Sequence, residues 1–179
     1  YQAVVEMFRN DDIQLAWFGG LTGVQAREAV PGALAIAQGE GDPKDFSYFI
    51  AHGSLQREQH PNFPSYIREH PFCFGSESST SGRLMPEYFI RKFTGHTSFE
   101  FFQQSVFYSG SHDKTIELVE SGQFLAGVVN RKVYEERIKE GKTNPEMCRI
   151  IWKTPTCANY NWTAHPSLEK RYGEGFIEK

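Results

Sequence analysis

The chain has 179 residues, 39% of them apolar and 15% aromatic, with a net charge of −3 and an isoelectric point near 6.1. That much apolar material excludes a disordered chain and supplies a core for one domain or two small lobes. The acidic balance argues against a nucleic-acid surface, which clusters Lys and Arg, and the longest apolar runs fall far short of the ~20 residues a membrane span needs.

The apolar positions Ala3, Val4, Met7 and Phe8 fall at helical spacing, so residues 1–10 read as an amphipathic helix rather than a signal peptide. A strand over 13–18 follows, ended by Gly19-Gly20. Thr22 is read as the cap of a second helix reaching Val30, with strands over 33–37 and 46–51 beyond it. The polar segment 54–69, with Pro61 and Pro64, breaks the pattern and marks a lobe boundary. Strands at 72–74, 106–108, 125–129 and 149–153 then alternate with helices at 79–93, 111–119 and 132–140. Alternation of this kind predicts an α/β class with parallel sheets covered on both faces. Pro155 and the polar stretch to Asn161 read as a second crossing between lobes, giving one lobe of 1–52 plus 156–179 and another of 53–155.

The most informative segment is Ser78-Ser79-Thr80-Ser81-Gly82, between the apolar run at 71–75 and an amphipathic stretch. A small-residue loop that turns from a strand into a helix leaves amide N–H groups pointing at the loop, with the positive end of the helix dipole behind them. Hydroxyls and a glycine let a compact oxyanion approach closely. Ser78 or Ser79 as a simple helix cap accounts for the same residues. A second loop, Ser109-Gly110-Ser111-His112-Asp113, repeats the pattern. His112 can donate to an oxyanion from a ring nitrogen, or be a solvated polar residue of a first helical turn. Consecutive Ser111, His112 and Asp113 do not make a catalytic triad, since neighbouring side chains diverge.

Nucleotide-binding glycine motifs and the G-x-S-x-G elbow are missing. Cys73, Cys148 and Cys157 lack metal-ligand spacing, so no cofactor or metal is expected. Cys73 reads as strand core, and Cys148 and Cys157 as either a bridge or buried thiols. Trp17, Phe18, Phe46 and Tyr48 read as core.

In series, Trp17-Phe18-Gly19-Gly20-Leu21-Thr22, Phe74-Gly75-Ser76 with the serine-rich loop, Tyr108-Ser109-Gly110-Ser111-His112-Asp113 and Trp152-Lys153-Thr154-Pro155 resemble the phosphonate-binding protein family of ABC-transporter solute receptors. The similarity runs over nearly the whole chain. It implies a type II periplasmic binding fold with two α/β lobes and a hinge, the N-terminal lobe lacking the strand-helix-strand with which the family begins. By position, the resemblance implies ligand contacts from Tyr1, from the loop Ser78, Ser79, Thr80 and Ser81, and from His112. Phe46 stands where phosphonate-specific relatives carry a tyrosine, and Asn159 lies where a second acidic residue would be expected. Lys132 stands where an aminophosphonate receptor has a glutamate. A lysine there supplies counter-charge instead of a partner for an amine, so a simple oxyanion or an unaminated phosphonate is expected.

The expectation is a non-enzymatic periplasmic or extracytoplasmic solute receptor, anchored or not through a missing N-terminus. Its partners are a small phosphonate, phosphate or phosphite-type oxyanion and a transporter permease, with no nucleic acid. The alternatives are a ligand-sensing effector domain of a regulator with the same fold, and a phosphoester hydrolase built on His112 and Asp113.

Overall fold

The computed structural model describes residues 1–178, and the chain falls into two compact units. The smaller comprises 1–45, 78–80 and 156 to the C-terminus; the larger comprises 46–77 and 81–155. Strand pairing puts residues 46–52, expected in the first lobe, in the larger unit, so the chain crosses at Asp45-Phe46.

In the smaller unit, helix α1 (Gln2–Arg9) leads to strand β1 (Leu15–Phe18), helix α2 (Gly20–Ala29) and strand β2 (Leu34–Ala37). The chain returns as strand β8 (Asn161–Ala164) and helix α7 (Ser167–Tyr172). The sheet order is β1-β8-β2, with both pairs antiparallel. Alternation along β1 sends Ala16 and Phe18 into a core with Val5, Phe8, Ala26, Val30 and Ala33. Phe8 and Phe18 meet edge to face at 5.4 Å.

The larger unit holds β3 (Ser47–His52), β4 (Phe72–Phe74), β5 (Val106–Tyr108), β6 (Ala126–Asn130) and β7 (Cys148–Lys153) in the order β5-β4-β6-β3-β7. Helices α3 (Met85–Thr94), α4 (Ser98–Phe101), α5 (His112–Glu120) and α6 (Arg131–Lys139) belong with it. Neighbours along β3 and β6 point to opposite faces: Phe49 and Val128 join Phe72, Phe74, Phe89 and Trp152, while Ile50 and Val129 join Ile116, Val119 and Tyr134.

The α/β class holds, but the sheets are not parallel throughout. β5, β4 and β6 are parallel, whereas β3 runs against both β6 and β7. The reason lies in the two linking segments. β3 leaves the crossing as β7 returns to it, and side by side they must be antiparallel: Ser47 and Thr154 exchange bonds at 3.0 Å, Ser47 N–H to Thr154 Oγ1 and Thr154 N–H to Ser47 O. On the smaller unit's side Cys157 N–H donates to Asp45 O at 2.7 Å. Three elements went unread: α4, whose capping box is Thr97 with Glu100, α7, and β8, whose polar residues masked a central strand.

The serine-rich loop does not open an α-helix. Residues Thr80–Leu84 form a π-helical turn, and α3 starts only at Met85, where Pro86 has no N–H to satisfy.

Candidate functional site

In the smaller unit, the start of α2 is capped from far along the chain. Gly19 at the N-cap offers no side chain, and Thr22 is no cap; its Oγ1 donates back to Gly19 O at 3.2 Å. Instead Leu21 N–H donates to Thr80 Oγ1 at 2.8 Å, and Gly20 N–H donates to Asn159 Oδ1 at 3.3 Å. Thr80 therefore acts as an acceptor toward α2, which leaves its own O–H proton for another acceptor. Asn159 in turn donates from Nδ2 to Asp45 Oδ2 at 2.7 Å, so its amide is committed to the scaffold. Ser79 and Thr80 are buried, Ser78 is half-buried and Tyr1 is exposed at the head of α1. Burial, with Tyr1, Asp45 and Asp42 nearby, pushes the Tyr160 phenol up to about 12, so it is a neutral hydroxyl at physiological pH.

In the larger unit, Ser81, His112 and Asn130 form one hydrogen-bonded group. Asn130 N–H donates to His112 Nδ1 at 3.2 Å, Asn130 Nδ2 donates to Ser81 Oγ at 3.3 Å, and His112 Nε2 lies 3.5 Å from Ser81 Oγ. All three are buried. Each has a local reason for its place. His112 is the first residue of α5, with Ser111 Oγ capping Lys114 N–H at 3.2 Å. Asn130 ends β6 and caps α6, accepting Lys132 N–H on Oδ1 at 2.9 Å. Ser81 is pinned through its carbonyl, which accepts the Ser47 hydroxyl at 2.7 Å. Gly75 packs beside them: a Cβ there would stand in ordinary contact, 3.4 Å from Gly82 Cα and 3.6 Å from the His112 ring.

The turn carries a cation, Arg83, but it is already paired. Its guanidinium donates to Tyr108 Oη at 2.8 Å and Glu87 Oε2 at 3.0 Å and lies over the Phe74 ring. Lys132 is exposed along a groove of about 410 Å³ shared with Glu135, Glu136, Lys139 and Glu140. A larger cavity of about 680 Å³ contains none of the expected site residues; its lining mixes Glu58, Glu135 and Glu146 with Arg57 and Arg149. Asp113 is salt-bridged to Arg137 at 2.9 Å and exposed, which takes it out of any relay with His112. Among the described residues no group of three or more His, Cys, Asp or Glu could hold a metal ion.

The aromatic residues divide. Phe18 is core, whereas Trp17 is 40% exposed, contrary to expectation. Phe46 is half-buried under two cations, with Lys153 Nζ at 3.8 Å from its centroid and the Arg131 guanidinium at 4.9 Å. Tyr48 donates its hydroxyl to Glu135 at 2.8 Å. The three cysteines are free thiols. Asn130 and Ser47 were not read from the sequence; an Asn at a strand-to-helix junction is a capping signal that could have flagged the first.

The family model for the phosphonate periplasmic substrate-binding proteins of ABC transporters matches residues 1–176. The chain belongs to that family. It is 41% identical over 181 residues to the probable ABC transporter phosphite binding protein PhnD1 of Prochlorococcus marinus (strain MIT 9301), an alignment covering all of this chain and 61% of the relative. The structure of PhnD1 from that organism in complex with methylphosphonate superposes with a TM-score of 0.89 at 41% identity, over 99% of this chain and 66% of that one. The binding component of an ABC phosphonate transporter from Pseudomonas aeruginosa gives a TM-score of 0.77 at 20% identity, covering 94% of this chain and 56% of that one, a likeness of fold. The α/β architecture is thus that of the type II periplasmic binding proteins. The chain thus spans between 56% and 66% of the length of these relatives. Among the described residues no helix is long and apolar enough to cross a membrane.

Proposed function

We propose that this protein is the solute-binding component of an ABC transporter, working in the periplasm with a permease partner. It captures a small tetrahedral oxyanion of the phosphite, phosphate or unaminated phosphonate class for uptake and does not transform it. To this reading we assign Ser78, Ser79, Thr80 and Ser81 as hydroxyl donors, His112 as an imidazole N–H donor, and Tyr1 and Lys132 as further ligand contacts.

The observation that carries this reading is the orientation of His112. With Nδ1 accepting the Asn130 amide, the neutral ring holds its proton on Nε2, on the side of Ser81. Burying an anion is costly unless donors surround it, and aimed O–H and N–H dipoles meet that need in a chain of net charge −3 whose turn cation is paired to Glu87. The ligand class is also supported by the phosphite and methylphosphonate named for the Prochlorococcus relative.

Titration calorimetry on the complete natural reading frame that carries this sequence tests it, with phosphite, methylphosphonate, phosphate, sulfate and selenate as ligands. Saturable binding of phosphite or methylphosphonate, weakened by His112→Ala, is expected. Binding of none of the five overturns the proposal.

A further inference from the structure

The hydroxyl turn takes a donor from far along the chain. In a π-helical turn each carbonyl faces the N–H five residues on. For Ser81, inside the turn Thr80–Leu84, that residue is Pro86, which has no N–H. The Ser81 carbonyl accepts the hydroxyl of Ser47 instead, at 2.7 Å. The next carbonyl, that of Gly82, accepts Gly75 N–H at 3.0 Å. Two successive carbonyls of the turn are thus held from the start of β3 and from the residue that follows β4.

Ser47 stands where three segments meet. It is the first residue of β3 and only 1% exposed. On one side its main-chain N–H and C=O are both bound to Thr154, at 3.0 Å each, in the linking segment that follows β7. On the other side its partner across the β3–β6 ladder is Asn130. Residues opposite each other in such a pair lie about 5 Å apart, so Ser47 and Asn130 hold Ser81 from adjacent places. Ser47 takes the carbonyl, and Asn130 Nδ2 donates to the hydroxyl at 3.3 Å. With its oxygen already accepting, Ser81 Oγ keeps its own proton to donate elsewhere.

We propose that Ser47 is a positioning residue for anion capture. It acts through Ser81 rather than by touching the ligand: fixing the Ser81 carbonyl fixes the peptide plane that carries it, and with that plane the direction in which the Ser81 hydroxyl donates. The junction of the two linking segments therefore sets the aim of the turn. The inference rests on the receptor reading above, because the donor it concerns belongs to the same set. A serine that served the fold alone would lose stability when truncated and leave affinity as it was.

Titration calorimetry with the same five anions on the complete natural reading frame, together with thermal melting, tests this. Ser47→Ala is expected to raise Kd about tenfold, the low end for a hydrogen bond to a charged group, and to lower the melting temperature by a few degrees. Ile67→Val trims a fully buried side chain of the same unit's core, outside the turn and its strands. It is expected to lower the melting temperature comparably and to leave Kd unchanged. Ser47→Thr keeps the hydroxyl and is expected to bind as the wild type does. If the alanine variant does not fold, Ser47→Cys, which offers only a weak donor, takes its place with the same expected rise in Kd. Wild-type affinity in the alanine or cysteine variant, a threonine variant as weak as either, or an equal rise in Kd in Ile67→Val overturns the proposal and leaves the receptor reading standing. A wild type that binds none of the five anions removes the receptor reading, and the role of Ser47 with it.

Discussion

His112 Nδ1 accepts the backbone N–H of Asn130 at 3.2 Å, and that one contact decides which ring nitrogen carries the proton. A main-chain amide can only donate, so the neutral imidazole must hold its hydrogen on Nε2, beside Ser81 Oγ. Asn130 also caps α6 and donates to Ser81, so one residue at a strand-to-helix junction sets both the donor and its neighbour.

Removing the ring is therefore expected to weaken oxyanion binding in a chain that still folds, with a modest loss of stability from the stranded Asn130 N–H. For His112→Ala, Kd for phosphite or methylphosphonate should rise about 10- to 100-fold, the worth of a hydrogen bond to a charged group, with a far-ultraviolet spectrum unchanged. Calorimetry reporting wild-type affinity would remove His112 from the binding set.

Thr80→Val should act mainly on the smaller unit. It deletes the acceptor of the Leu21 N–H and leaves a helix-start amide without its partner, at a cost of about 1 to 2 kcal/mol. Denaturant titration should show that loss, and Thr80→Ser, which keeps the oxygen, should recover most of it. Equal stability of the valine variant and wild type would mean that the cap is dispensable.

Glu87 predicts an acid-sensitive element. Although burial works to raise it, hydrogen bonds from Ser98 and ion pairs with Arg91 and Arg83 hold its carboxyl below the usual glutamate value. A depressed folded-state pKa contributes stability at neutral pH that is lost as pH falls below the ordinary carboxylate range toward the depressed value. Glu87→Ala is expected to cost about 3 kcal/mol at pH 7 by stranding its partners, and its penalty should shrink under acid conditions. A penalty that is flat with pH would contradict this.

Asp113 gives the contrasting case. Its salt bridge to Arg137 is exposed, so Asp113→Asn should change stability by less than about 1 kcal/mol and ligand affinity hardly at all. Chromogenic phosphoesters should not be turned over by the wild type or by this variant. Hydrolysis that vanishes in Asp113→Asn would restore the enzymatic alternative.

The cysteines should be inert in the folded protein. Burial pushes Cys73 up to about 11 and Cys148 up to about 12, so little thiolate exists near neutrality. A thiol reagent at pH 7.5 is expected to label Cys73 and Cys148 only after denaturation. Rapid native labelling at either would show that its shell opens readily.

Much of the molecule was legible without coordinates. Apolar runs located seven of the eight strands, and the helices from His112 and Arg131 start within a residue of their expected positions. The eighth strand was hidden because it follows directly on the polar stretch read as a crossing up to Asn161, and only pairing with both β1 and β2 makes Asn161–Ala164 central. Trp17 was assigned to the core from its side-chain size; in this chain the face it occupies is open.

By itself the sequence determined the α/β alternation, the hydroxyl-rich turn and the presence of a histidine at the start of a helix, because periodicity and capping chemistry act between residues a few positions apart. Only the tertiary structure decided strand direction, the π-helical form of the turn, the capping of α2 by Thr80 and Asn159, and the Nε2 proton of His112. Strand direction, the cap of α2 and the His112 tautomer each depend on a hydrogen-bond partner remote along the chain. Local preference leaves such a partner open, and packing selects it.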